Sequence, residues 1–96
     1  MPADLSRLHV SIQGRVQGVG FRAFVHRKAI EIGLTGWVRN RWDGSVEVLA
    51  EGERPSLDRL LLLLKRGPSS AMVSSMDFEW QPATGEFKRF TVKFTV

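Results

Sequence analysis

The chain contains no cysteine in its 96 residues. That excludes disulfides and thiolate metal sites and sits comfortably with a reducing cytoplasm. Long apolar runs are also missing. The longest aliphatic stretch, Leu60 to Leu64, falls far short of the roughly 20 residues of a membrane span. The first residues, Met1 to Arg7, lack the apolar region of an export signal. A soluble, cytoplasmic protein with no membrane partner is the expectation. Histidine is scarce: there are two, His9 and His26, and without clustered carboxylates they make no metal site. Acidic residues are in deficit, 10 against 14 Lys and Arg, for a net charge of +4, which favours anionic partners without specifying them. No internal repeat, low-complexity stretch or linker divides the chain. Residues 1–96 read as one domain, with 1–7 loose, long enough to bury about 60–65% of its unfolded surface.

What is present is concentrated in one turn. Gly14-Arg15-Val16-Gln17-Gly18-Val19-Gly20-Phe21-Arg22 runs from a β-like segment into a helix. The first amides of a helix have no intrahelical partner and carry the positive end of its dipole, so this is an anion site. An arginine in the first helical turn has the wrong sign and costs about 0.3–1 kcal/mol, unless an anion is held between guanidinium and helix end. Arg22 reads that way.

The periodicity of the rest predicts the scaffold. Leu8 to Gln13 alternates apolar and polar, as a half-buried strand does. Phe21, Val25, Ala29 and Ile32 repeat at helical spacing, and Gly33 stands where a left-handed residue ends a helix. Gly36 to Asn40 and Ser45 to Glu51 flank Asp43-Gly44, a hairpin signal. Pro55 opens a second helix, buried through Leu57, Leu60, Leu61 and Leu64 and stopped by Gly67-Pro68. Met76, Phe78 and Trp80, then Phe90 to Val96, alternate as two further strands around a turn from Gln81 to Glu86. The order β-α-β-β-α-β plus a terminal strand predicts an α+β, ferredoxin-like split βαβ sandwich: an antiparallel sheet with both helices on one face. Phe21, Phe24, Phe78, Trp80, Phe90 and Phe94 are expected in its core. Of Trp37 and Trp42, one should pack in the hairpin and the other lie partly exposed. His9 and His26 are expected as surface histidines, and Lys28, Arg39 and Arg41 as a solvated basic face.

The glycine turn, together with Gly33-Leu34-Thr35-Gly36-Trp37-Val38-Arg39-Asn40 and Asp43-Gly44-Ser45-Val46-Glu47, closely resembles the acylphosphatase family. The likeness spans roughly Leu8 to Val96. It implies a small hydrolase that cleaves acyl phosphates to carboxylate and inorganic phosphate, with neither metal nor cofactor. Residue by residue, it places the phosphate-binding arginine at Arg22 and the water-positioning asparagine at Asn40. The backbone phosphate cradle falls on Val16, Gln17, Gly18, Val19, Gly20 and Phe21.

The chemistry suits so small a set. A carboxylate leaving group departs without a general acid. Fixed N–H donors and a planar guanidinium stabilise charge spreading over the phosphoryl oxygens, and lysine lacks that fork. Asn40 carries acceptor and donors together and is able to hold a water, but it is not a base. Standing alone, it would read as a hairpin-corner residue; the paired motifs reverse that judgement.

Two rival readings remain. One is a non-catalytic, anion-binding regulatory domain of the same fold. The other is a nucleic-acid-binding module, which would need a strand of exposed alternating aromatics that no segment supplies. The expected partners are a small acyl phosphate and inorganic phosphate rather than nucleic acid, and the expected state is a monomer.

Overall fold

The computed structural model describes residues 4–96. Seven elements follow one another: β1 (Leu5–Arg15), α1 (Phe21–Ile32), β2 (Thr35–Asn40), β3 (Val46–Glu53), α2 (Arg54–Arg66), β4 (Met72–Pro82) and β5 (Phe90–Val92). The strands form one sheet in the order β4-β1-β3-β2-β5. Its first four pair antiparallel.

Strand alternation decides what each face meets. Leu8, Val10 and Ile12 of β1, Val38 of β2, and Val46, Val48 and Ala50 of β3 are buried together with Phe21, Phe24, Val25 and Ala29 of α1 and Leu57, Leu60, Leu61 and Leu64 of α2. Both helices therefore cover one face, as the pattern predicted. Full burial of each large aliphatic side chain contributes roughly 1.5–3 kcal/mol. Gly33 ends α1 at φ 88°, its N–H bonding to Ala29 O at 3.0 Å. Proline in the first turn of α2, and Lys65 and Arg66 in its last, match the helix geometry and dipole.

Four expectations need correction. β1 begins at Leu5, and Leu5, Ser6 and Arg7 pair with Glu53, Gly52 and Glu51. The part of the presumed loose segment at 5–7 is thus in the sheet, while residues 1–3 lie outside the described residues.

The segment after Trp80 is not a turn between paired strands. β4 and β5 occupy opposite edges, and β5 runs parallel to β2, so the sheet is mixed. Because the two strands lie at opposite edges, no hairpin can join them, and residues 83–89 carry the chain across the face away from the helices. Glu51 holds that crossover. Its carboxylate accepts hydrogen bonds from Thr84 N, Gly85 N and Thr84 Oγ1 at 3.0–3.1 Å and from Arg7 Nε at 2.6 Å. Past Val92 the chain still follows β2 through Lys93 N to Val38 O and Val96 N to Asn40 O.

Phe21, Phe24 and Phe90 are buried, but Phe78 is 47% and Phe94 93% exposed. Phe78 sits on the edge strand β4, and Phe94 lies beyond the end of β5. Trp80 is only partly buried against the core.

The far face of the sheet is not a solvated basic surface. Glu47 is buried there and accepts hydrogen bonds from Arg39 Nε at 2.6 Å and Arg41 Nη2 at 3.2 Å. His9 Nε2 lies 2.6 Å from the same carboxylate, so it is not a lone exposed histidine. Trp37 packs beneath Arg39 and Lys93, and Trp42 stands 83% exposed at the hairpin corner.

Candidate active site

The turn from β1 to α1 is built by backbone that only glycine adopts easily. A bulge between Gln13 and Gly14 shifts the register of β1 against β4, and pairing resumes as Gly14 with Val73 and Arg15 with Met72. A Cβ on Gly14 would meet Met72 O at 2.2 Å, so the strands close here because the side chain is absent. Gly18 and Gly20 have φ of 72° and 79°. Among the described residues, a Cβ at either would touch nothing within 4 Å beyond its chain neighbours. Their requirement is therefore the left-handed backbone, not space.

Gly20 is the N-cap of α1, and Phe24 N is the first amide to bond back to it, at 3.0 Å. The amides before Phe24 in the first turn have no intrahelical acceptor. Those of Gly18, Val19 and Gly20 reach no backbone acceptor among the described residues. The turn thus presents a run of N–H donors at a positive helix end, with no acidic side chain in the first turn to neutralise it. That is the arrangement that binds phosphate.

Arg22 sits in this first turn and stands in no ion pair with a described residue. Asn40, at the end of β2, alternates onto the helix side of the sheet with Val38. Its Oδ1 is buried and has no hydrogen-bond partner among the described residues, a condition that costs about 1–3 kcal/mol for such a group. Both residues line one open cleft of about 320 Å³, together with Val16, Gly18, Gly20, Phe21, Ala23 and Val92. The fold therefore brings together Arg22, Asn40 and four of the six expected cradle residues.

Gln17 and Val19 do not line the cleft. Val19 packs against the core. The Gln17 side chain reaches the β2–β3 hairpin, where Nε2 donates to Arg41 O at 2.7 Å and Ser45 O at 2.9 Å. Val92 and Ala23 enter the cleft wall without having been anticipated. The helical position next to Arg22 was the available signal for Ala23. Nothing local signals Val92, which arrives through the parallel pairing of β5 beside β2.

The strand carrying Asn40 is fixed from behind. Arg39 and Arg41, its neighbours in sequence, both pair with Glu47 on the far face. Burial pushes the Glu47 carboxyl up, but the hydrogen bonds from His9 and Arg39 and the charges of Arg39 and Arg41 outweigh it, and the group lies below its ordinary value. Glu47 is thus an ionised anchor.

Comparison with known proteins agrees with this geometry. A family model described as acylphosphatase matches residues 8–92. An acylphosphatase of Methylococcus capsulatus is 52% identical over 88 residues, covering 92% of this chain and 96% of that protein. The crystal structure of acylphosphatase from Bacillus subtilis superposes with a TM-score of 0.89 at 36% identity, covering 92% of this chain and 98% of that one. An acylphosphatase from Coxiella burnetii does so with a TM-score of 0.87 at 41% identity, covering 94% of each. Family match, near full-length identity and fold coincide on the same residues: this chain belongs to the acylphosphatase family, enzymes that hydrolyse acyl phosphates.

Proposed function

We propose that the chain hydrolyses the carboxyl-phosphate bond in the cleft between the β1–α1 turn and Asn40, with binding and water positioning divided between two side chains. One observation carries this reading: a guanidinium and a buried amide oxygen, both without partners among the described residues, line the same cleft beside a helix N-terminus. The phosphoryl oxygens are held by amides in the 16–21 turn and by the Arg22 fork. These donors are fixed before substrate arrives, so charge developing on the oxygens is stabilised without reorganisation.

Asn40 Oδ1 accepts a hydrogen bond from the attacking water and aims its lone pair at phosphorus. As water adds, the P–O bond to the acyl oxygen breaks, and its electron pair leaves on a carboxylate of low basicity. The water's proton passes to a phosphoryl oxygen of the substrate, since Asn40 cannot take it. Products are carboxylate and inorganic phosphate. No step needs a metal ion to activate the water or the leaving group.

The remaining expectations follow the same reading: a monomer, acting on small molecules in the cytoplasm and not on nucleic acid. Asp77 and Glu79 lie along the edge strand β4, where charge discourages edge-to-edge pairing. The far-face cations that nucleic acid would need are engaged by Glu47 and Glu51. Among the described residues no helix is long and apolar enough to cross a membrane.

Arg22→Ala tests the division of labour. It should raise KM, lower kcat and weaken competitive inhibition by inorganic phosphate, with kcat/KM falling by about 10²–10³-fold. Arg22→Lys should restore little, because a point charge on a flexible stem does not match two oxygens. Phosphate inhibition unchanged in Arg22→Ala would contradict the role.

A further inference from the structure

We infer that Gln17 is a positioning residue, whose side-chain amide ties the phosphate-binding turn to the strand carrying Asn40. This inference rests on the catalytic reading above. It starts from sheet order. The turn leaves β1, whereas Asn40 ends β2, and these strands are not neighbours: β3 lies between them. No ladder hydrogen bond therefore sets the distance between the phosphate donors and the water-holding amide.

Gln17 spans that gap. Its Nε2 donates to Arg41 O at 2.7 Å and to Ser45 O at 2.9 Å. Arg41 directly follows Asn40, and Ser45 precedes Val46, the cross-strand partner of Asn40. Both amide protons are used, one on each side of the hairpin mouth, and only the nitrogen end of the amide has donors to offer two carbonyls.

The hairpin does not need Gln17 to keep its shape. Arg41 N bonds to Ser45 O and Gly44 N to Arg41 O, while Asp43 Oδ1 accepts from Ser45 N and Ser45 Oγ at 2.9 and 2.6 Å. What the glutamine adds is a link between two separate parts of the site. With Arg39 and Arg41 held to Glu47 on the far face, that link fixes Asn40 from the cleft side. Losing it lets the water drift relative to phosphorus while leaving the phosphate donors in place.

The test is the isosteric Gln17→Met, which keeps volume and removes both donors. On benzoyl phosphate its kcat should fall by about ten- to a hundredfold, as for an ångström-scale misplacement of a reacting group. Its inhibition constant for inorganic phosphate should stay within about twofold of wild type. A role confined to stability would instead lower the melting temperature with kcat unchanged at temperatures where the variant is folded. Unchanged kcat, or an equal loss of phosphate affinity, would overturn the inference.

Should Gln17→Met not fold, the wild-type protein decides. The side-chain amide protons of Gln17, followed by NMR, should exchange slowly with solvent, and exchange at the rate of a free amide would overturn the link. Wild type without turnover would defeat the catalytic reading and this inference with it. Active wild type beside an equally active Gln17→Met would defeat this inference alone.

Discussion

Two faces of the same strand pair handle charge in opposite ways. On the far face both buried carboxylates are fully engaged: Arg39, Arg41 and His9 meet Glu47, and Arg7, Thr84 and Gly85 meet Glu51. On the helix side, a few residues away, Arg22 has no counter-ion among the described residues and Asn40 Oδ1 no partner. The contrast separates structural from functional polarity. A buried polar group with partners holds the fold, whereas one without them costs stability unless a ligand supplies what is missing. On the proposed reading, Arg22 and Asn40 are the groups a substrate would satisfy, whereas Glu47 and Glu51 hold the frame.

The comparison breaks most visibly at Glu51. Glu51→Ala removes the acceptor that holds the 83–89 crossover and leaves Arg7 with fewer partners, so a loss of about 1–3 kcal/mol is expected. Urea unfolding measures it. Turnover of the folded variant should stay near wild type, because Glu51 faces away from the cleft. A variant as stable as wild type would show that the far-face network does not hold the frame.

Acid sharpens the same point. For Glu51, burial pushes the carboxyl up, but hydrogen bonds from Thr84 N, the Arg7 side chain and Gly85 N pull it further down, so it lies below the ordinary 4.5. Glu47 lies below 4.5 by a similar balance. A carboxylate depressed in the folded state contributes stability that is complete above its unfolded value and lost as pH falls through its folded one. Urea midpoints should therefore hold from neutrality to about pH 4.5 and decline below it. That acid limb should flatten in a Glu47→Gln, Glu51→Gln double variant.

The smallest effect has the opposite sign. Arg22 places a cation at a helix N-terminus with no acidic residue in the first turn, so Arg22→Ala should stabilise the unliganded protein by about 0.3–1 kcal/mol. Added phosphate should shrink or reverse that gain. A destabilised Arg22→Ala would mean that the guanidinium serves the fold.

Much of this architecture was legible in the chain because it is local. Gly33 after a helical repeat, Asp43-Gly44 between alternating runs, and the leucines of the second helix each signal an element through their own neighbours. The glycine turn and its arginine were legible for the same reason, and the cleft they form with Asn40 rests on the paired motifs. What escaped depends on distant partners. Alternation marks Phe90 to Val96 as strand-like but does not say beside which strand or in which direction it runs, so the parallel β5 and Val92 in the cleft wall went unread. The same alternation points Glu47 and Glu51 away from the core. Only the assembled sheet shows that arginines from β1 and β2 cover them. Phe78 and Phe94 read as core because aromatics at period two usually are, yet an edge strand and a terminal segment leave them exposed. Gln17 was assigned for its backbone, and its side chain's destination lies across a strand that sequence does not place.

The most direct test is phosphate release from benzoyl phosphate by wild type and Asn40→Ala in the presence of EDTA, with inorganic phosphate binding measured on both. Wild type should hydrolyse at a chelator-independent rate, and Asn40→Ala should fall to background while still binding phosphate. An Asn40→Ala enzyme that turns over near the wild-type rate would contradict the assignment of the water to Asn40.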